Sequence, residues 1–448
     1  MKPYLRLTAL TMGLLVSVAL SAQAQNPDTI ASDDVHSFTI KADLMTRGEF
    51  RYGGMQEEEP DVVVKEYAAF CMERARLNLN YRYKFLTLRL APQHSGVWGQ
   101  QGGGSFRLYE GWARLQSHQG LFLQVGRQAL NYDDQRILGS DDWTMTASSH
   151  DILKVGYEGH GHQLHLIAGF NQNGERLNGG TFYENGSQPY KTMQTLWYHY
   201  DIPKTDFGFS LLFLNVGMQA GDANSYHTKY QQVAGAFLKY HPMKLAFEGS
   251  FYYQFGKEEH GIPISAYMAS AKASYEDENW GLTAGYDYLS GDPNFNVPAE
   301  GMIGLIRHET IRGFSQLFGS HHKFYGAMDF FYMQSYVYGF TPGLQNAFVA
   351  GRYNPIPQVE LEAAYHYMAI ATQIANHSPS LGHELELTAS WNITPYIQLV
   401  GGYTFMYGTE TMEFLKRSNP SRQLHWGWMQ LRVNPELLNL QHINKKRH

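Results

Sequence analysis

Side-chain polarity in this chain switches every second residue, in stretch after stretch. Val359, Leu361, Ala363, Tyr365 and Tyr367 alternate with Glu360, Glu362 and His366. Leu385, Leu387, Ala389 and Trp391 alternate with Glu384, Glu386, Thr388 and Ser390, and Leu77, Leu79, Tyr81 and Tyr83 with Asn78, Asn80 and Arg82. Neighbouring side chains on a β-strand point to opposite faces, so each run offers one face to an apolar medium and the other to water. A soluble β-sandwich shows the same alternation, and the connections have to separate the two.

The connections fall into two kinds. Tight ones at Lys84, Ser117-His118-Gln119-Gly120, Pro203-Lys204, His241-Pro242-Met243, Asn354-Pro355-Ile356 and Ile393-Thr394-Pro395 alternate with long polar ones, among them 53–66, 95–104, 131–150, 171–190, 370–382 and 409–421. Short turns on one rim and long loops on the other are the asymmetry of an outer-membrane barrel, with periplasmic turns and external loops. Composition agrees: 31 Tyr, 25 Phe and 44 Gly suit aromatic girdles, short strands and glycine turns. The single cysteine, Cys71, excludes an intramolecular disulfide. About 420 residues of soluble protein would ordinarily divide into two or three domains, whereas one barrel uses them all. Beyond the N-terminal segment no apolar run reaches the length of a spanning helix.

Lys2 and Arg6, the apolar stretch Leu7 to Leu20, and Ala22-Gln23-Ala24 read as a secretory signal over 1–24, cut before Gln25. The alternative, an N-terminal anchor, falls short of the ~20 apolar residues a span needs. Losing 1–24 removes two positive charges and moves the formal charge from −6 to −8. An acidic chain without clustered Lys and Arg is a poor partner for nucleic acid. Residues 25–37 are expected to be a periplasmic lead-in, 38–434 the barrel, and 435–448 a polar tail ending in Lys445-Lys446-Arg447-His448. Without a terminal aromatic, that ending implies a different insertion signal for the barrel-assembly machinery.

Parity fixes the strand count. From 38–52 to 280–290 thirteen strands alternate in direction, and the C-terminal part adds 344–353, 357–369, 383–393, 395–408 and 422–433. The turn at Asn354-Pro355-Ile356 belongs to the periplasmic rim, so 344–353 descends directly after the ascending 280–290. The apolar stretch 323–336 is therefore part of a long external segment, 291–341, that folds back into the barrel mouth. The fold class expected is all-β: a single transmembrane antiparallel β-barrel of about eighteen strands, with both termini in the periplasm.

Three stretches resemble one family. The most specific is Gly126-Arg127-Gln128 with Tyr132-Asp133-Asp134-Gln135-Arg136, Gly139-Ser140 and Asp142-Trp143. The second is Ser290-Gly291-Asp292-Pro293-Asn294 with His322-Lys323-Phe324-Tyr325-Gly326 and Met328-Asp329. The third is Leu381-Gly382-His383-Glu384-Leu385-Glu386-Leu387 leading to Gly401-Gly402-Tyr403. In this order across 38–434 they resemble the alginate-export family of outer-membrane proteins. The resemblance implies an eighteen-stranded barrel and passive export of a polyanionic polysaccharide through a lumen lined with basic residues.

The wet face of 67–83 carries Arg74, Arg76, Asn78, Asn80 and Arg82. A guanidinium facing lipid at mid-height costs ~2–4 kcal/mol, so these three arginines are expected to line the pore. Glu73 falls on the lipid-side parity and is placed near the external rim, because this strand exceeds the ~9–11 residues a crossing needs. Arg114 and Lys154 extend the basic side, and Glu360, Glu362, Glu384 and Glu386 form an acidic side. Two readings stand: opposed walls that set a transverse field and an ion preference, or mutual ion pairs that fill a wet interior. A channel dedicated to polyanions should be basic all round, and this one is not.

The segment 131–150 is the candidate constriction. Asp133, Asp134, Arg136, Asp141 and Asp142 pack mixed charge there near the apolar Ile137, Leu138 and Trp143, and the residues expected at the constriction are Arg127, Asp133, Asp134, Arg136 and Asp142; Arg127 falls at an expected bulge and its face is open. The other reading is a loop that seals a strand end. His160, His162 and His165, and His321-His322, lack closed-site spacing with Cys or paired carboxylates, so no metal or cofactor is expected.

The function expected is a porin-like channel, surrounded by outer-membrane lipid, for passive diffusion or export of hydrophilic, charged solutes such as anionic saccharides. A hydrolase needs a nucleophile beside a base that a third group orients, and no Ser–His–carboxylate set falls on one strand face. A surface receptor or adhesin with a plugged barrel is the third class, kept open by the apolar residues of 323–336.

Overall fold

The alternation closes into a cylinder. A computed structural model describes residues 35–53, 67–175, 177–183, 186–222, 224–292, 309–331, 341–416 and 423–443; the expected signal, the lead-in as far as residue 34 and residues 444–448 lie outside them. The first nine strands are β1 (Val35–Tyr52), β2 (Tyr67–Tyr83), β3 (Leu86–Val97), β4 (Ser105–Gln116), β5 (Leu121–Gln128), β6 (His150–Gly159), β7 (His162–Phe170), β8 (Thr192–Asp201) and β9 (Phe207–Gly221). The next nine are β10 (Tyr226–Tyr240), β11 (Leu245–Lys257), β12 (Pro263–Glu276), β13 (Trp280–Leu289), β14 (Leu344–Ile356), β15 (Val359–Ala369), β16 (Ser380–Thr394), β17 (Ile397–Gly408) and β18 (Gln423–Val433).

Each strand pairs antiparallel with its successor, and β1 pairs along its other edge with β18, from Leu44 opposite Val433 to Tyr52 opposite His425. That pairing closes the barrel and satisfies backbone groups that a membrane would leave without partners. Eighteen strands bring both ends to the rim of short turns. There β2–β3 and β6–β7 turn through Lys84 and His160, at φ 51° and 54°, the left-handed conformation that tight hairpin turns require.

Three boundaries differ from the sequence expectation. Asn354-Pro355-Ile356 belongs to β14, whose register slips between Tyr353 and Ile356, and Pro357-Gln358 make the turn. The slip leaves Pro355, which has no N–H to donate, out of the ladder. Ile393 and Thr394 likewise remain in β16, and Pro395-Tyr396 turn. The polar tail is not free: past Asn434-Pro435, β19 (Glu436–Ile443) continues the path of β18 and pairs with Val35–Lys41 of β1. Leu438 and Leu440 lie opposite Ile40 and Phe38 in that ladder, an apolar match that the overall polarity of the tail concealed.

The outward face is apolar, with Leu44, Leu77, Leu90, Phe213, Phe251 and Leu387 exposed on it. The inward face is not uniformly wet. Leu212, Leu214 and Val216 of β9, with Met193, Met268, Met368 and Met406, are buried inside, because two external connections run into the barrel. Leu130, Tyr132, Ile137 and Leu138 of 129–149 join Phe314, Tyr325, Phe330 and Phe331 of the described part of 290–343 in one apolar cluster. The two segments also bond each other: Gly139 N donates to Phe318 O at 2.8 Å and Ser320 N to Gln135 O at 2.9 Å. Asp292 pins the second at its entry, accepting from Arg312 N at 2.6 Å and Thr341 N at 3.0 Å. A short helix between β17 and β18, α1 (Glu410–Lys416), lays Met412 and Leu415 on the same cluster.

Candidate functional site

The inward positions of β1 are Asp43, Met45, Arg47 and Glu49, and the register sets Asp43 opposite Arg76 and Met45 opposite Arg74. Arg74 reaches Asp43 at 3.0 Å and Asp142 of the first infolded segment at 3.1 Å. Arg76 meets the same Asp142 oxygen at 2.9 Å, and Arg432 of β18 meets Asp43 at 2.9 Å. Three guanidiniums from two strands thus share two carboxylates, one from the wall and one from the segment. Beside them Arg47 pairs with Glu49 at 2.9 Å and lies 4.2 Å over Trp143, on which His322 stacks at 4.2 Å.

Much of the rest of the expected walls is neutralised locally as well. Arg114 pairs with Glu158 at 2.6 Å, and Arg89 with Glu110. Glu384 accepts Met328 N at 3.1 Å, and Glu386 accepts Ala327 N at 2.8 Å and meets His366 at 3.3 Å. Glu360 stands 3.8 Å from Arg352, which pairs with Glu276, and Glu362 faces the same space. Lys154 points inward opposite Gln124, and Arg82 is exposed opposite Ser37 towards the short-turn rim. Ion pairs that fill a wet interior describe this arrangement better than opposed walls and a transverse field. Glu73, on the lipid-side parity, takes the indole N–H of Trp98 at 2.9 Å.

Four of the five charges expected at a constriction lie inside the barrel, and Arg127 does not join them. It shares the outward parity of exposed Leu121 and Val125 and pairs with Asp151 at 2.6 Å. Gly126, at φ 123°, precedes it, and Arg127 faces out. Arg136 is buried: it meets Asp134 at 2.7 Å, Asp287 of β13 at 2.8 Å and the Tyr325 hydroxyl at 2.8 Å, with its guanidinium 4.1 Å over Phe324. Burial opposes its charge, yet Tyr325, Asp287 and Asp134 hold it protonated well above the ordinary arginine range. Asp133 accepts from Trp197 at 3.0 Å and Tyr252 at 3.1 Å; burial raises its pKa and these hydrogen bonds oppose the rise.

Below these groups a cavity of about 620 Å³ opens between the segments and the wall, lined by Asp134, Arg136, Lys239, Glu248, Lys272 and Lys323 among others. Its wall holds a set that sequence reasoning missed. His199 and Ser210 lie opposite each other on β8 and β9, at 2.8 Å, and His199 meets Asp201 at 3.0 Å. Strand pairing, invisible within either strand, assembles this serine, imidazole and carboxylate. The serine is buried and also hydrogen-bonds Asp133, so the set reads as a relay that ties segment to wall. Glu258, Glu259 and His260 gather ligand atoms within 4.8 Å on the β11–β12 loop, where the Glu258 carboxylate closes the turn by accepting His260 N and Ile262 N.

Among the described residues, the sequence stretch that builds most of this interior also decides the relationship. A profile of the alginate export family matches residues 108–408. The chain belongs to the alginate export family. As a member it is a bacterial outer-membrane barrel of porin-like channel architecture. No curated protein sequence matches it. Among solved structures it is similar to OccK11 (OpdR), OccK9 (OpdG) and OccK2 (OpdF) of Pseudomonas aeruginosa, each at 12% identity over 89% of this chain. These alignments cover 96%, 98% and 98% of the other chains with TM-scores of 0.58, 0.59 and 0.57, and the third was solved in complex with glucuronate. At such identity the likeness shows the fold. Within the family's stretch, Asp287 and Lys323 are further interior groups that sequence reasoning passed over; the inward phase of 280–289 signals the first.

Proposed function

We propose that this alginate-export barrel is a passive pore for small hydrophilic solutes that carry charge, anionic saccharides among them. The supporting observation is the cavity of about 620 Å³ inside the barrel, within the ~300–1,000 Å³ of small-ligand sites. Through Glu386 it adjoins a second space of about 200 Å³. Ammonium, carboxylate and imidazole groups line it together with the rings of Trp197, Phe237, Phe324 and Phe348, a mixture suited to the hydroxyls and C–H faces of a sugar. The glucuronate complex of OccK2 (OpdF) makes a uronate the first solute to try. Insertion through the barrel-assembly machinery belongs to the same proposal.

The apolar cluster that the infolded segments form favours one second reading, a receptor with a closed lumen. Planar-bilayer recordings on purified protein separate them. Stepwise conductance that glucuronate reduces is the expected result. Silence in the bilayer supports the receptor, and turnover of an ester panel that Ser210→Ala abolishes identifies a hydrolase.

A further inference from the structure

We infer that Lys323 tunes the ion preference of this pore, as the one cation on the main lumen cavity that makes no ion pair among the described residues. The inference rests on the pore reading above.

The other cations around the cavity are paired. Arg136 lies between Asp134 and Asp287; Lys239 meets Asp201 at 2.8 Å, and Lys272 meets Glu248 at 2.8 Å. Among the carboxylates, Glu386 is met by His366, and Asp133 by the uncharged donors of Trp197 and Tyr252. Lys323 lines the same cavity, is exposed to it, and has the ring of Phe324 5.8 Å from its ammonium; the carboxylates that act on it, Asp134 and Glu248, are already paired with Arg136 and Lys272. A matched pair presents a dipole to a passing ion, whose field falls off faster than that of a single charge. The unpaired ammonium therefore adds more positive potential than any other cation on this cavity. It acts within about a Debye length, ~8–10 Å at ordinary salt, a reach comparable with the cavity itself.

Its position is fixed by the surrounding bonds. Three residues on, Gly326 sits at φ 91°, where an added Cβ would meet Met368 and Glu384 at 2.6 and 2.7 Å. Ala327 and Met328 donate to Glu386 and Glu384, and Tyr325 is bonded to Arg136. The ammonium thus stands on a braced segment inside the barrel. Arg82 also carries charge on the inward parity, but it lies near the short-turn rim and does not line this cavity.

The test is the reversal potential of single channels in a KCl gradient. Relative to wild type, Lys323→Gln should lower the chloride-to-potassium permeability ratio by roughly fivefold, the weight of one unit charge a few ångströms from an ion's path in water. Lys323→Arg should keep the preference, Arg82→Gln should leave it nearly unchanged, and the Lys323→Gln effect should shrink as salt rises. Conducting channels whose ratio is the same in wild type and Lys323→Gln overturn the inference and leave the pore intact. Absence of conductance in wild type overturns the pore reading, and the inference with it.

Discussion

Arg136 was one of the charges expected at a constriction, and its surroundings give it a different task. A guanidinium held by two carboxylates and a phenol inside the barrel offers no free charge to a solute, but its loss would leave Asp134 and Asp287 inside the barrel without a counter-charge. Breaking such a pair from one side costs ~3–5 kcal/mol. Arg136→Ala should therefore loosen both infolded segments, seen as faster hydrogen exchange over 131–138 and 320–328, while ion preference changes less than in Lys323→Gln. Unaltered exchange would count against this role. Lys416, at the end of α1, gives a pH dependence. Burial lowers its pKa from 10.5 to about 7. Below pH 7 it is charged whether docked or released, so the burial cost is fully felt. Between about 7 and 10.5 only the released amine is charged, so docking of α1 strengthens as pH rises through that window. Exchange of 410–416, corrected for its intrinsic pH dependence, should slow accordingly, and Lys416→Met should flatten the profile. The inward phase of Arg74, Arg76 and Arg82 could be read from alternation alone. Their partners could not, because Asp142 arrives from a connection that has no period.

The strands were the legible part, since a period of two survives in sequence wherever one face is apolar and the other wet. Legibility failed where both faces meet apolar surroundings. On β9, Leu211 and Phe213 face out while Leu212, Leu214 and Val216 face in, and the resulting unbroken run says nothing about what lies inside. The explanation is the infolded segments, whose apolar residues replace water over part of the inner wall. Their geometry turns on a few backbone positions. Of the twelve non-glycine residues at positive φ among the described residues, seven lie in these segments: Asp133, Gln135, Asp141, Ala147, Leu317, Tyr325 and Asp329. Such conformations cost of order 1–3 kcal/mol each and persist only when surrounding contacts enforce them. Gly326→Ala adds both a left-handed strain and a clash with Met368 and Glu384. It should push the segment off the Glu384 and Glu386 wall and raise single-channel conductance, with barrel yield unchanged. A conductance equal to wild type would show that this contact does not narrow the path.

Over the whole barrel, the sequence indicated the number of strands, their direction and the rim of short turns, because all three follow from alternation and connection length. It did not indicate β19, since a short run after Pro435 carries too few residues for a period to stand out. Nor did it reveal how the ends are joined. Asp43 on the first strand holds Arg74 and Arg76 of the second and Arg432 of the eighteenth, and Asp142 adds a second clasp at 3.7 Å from Arg432. Arg432 follows Asp43 by 389 residues. The clasp cannot be completed until the last strand has arrived, and until then Asp43 and Asp142 meet positive charge only from the side of the second strand. A chain cut short before β18 would keep most of its strands and both inward segments, yet lack the group that finishes the lock. Closure of this barrel is thus registered from within, by a charge that only a full-length chain can deliver.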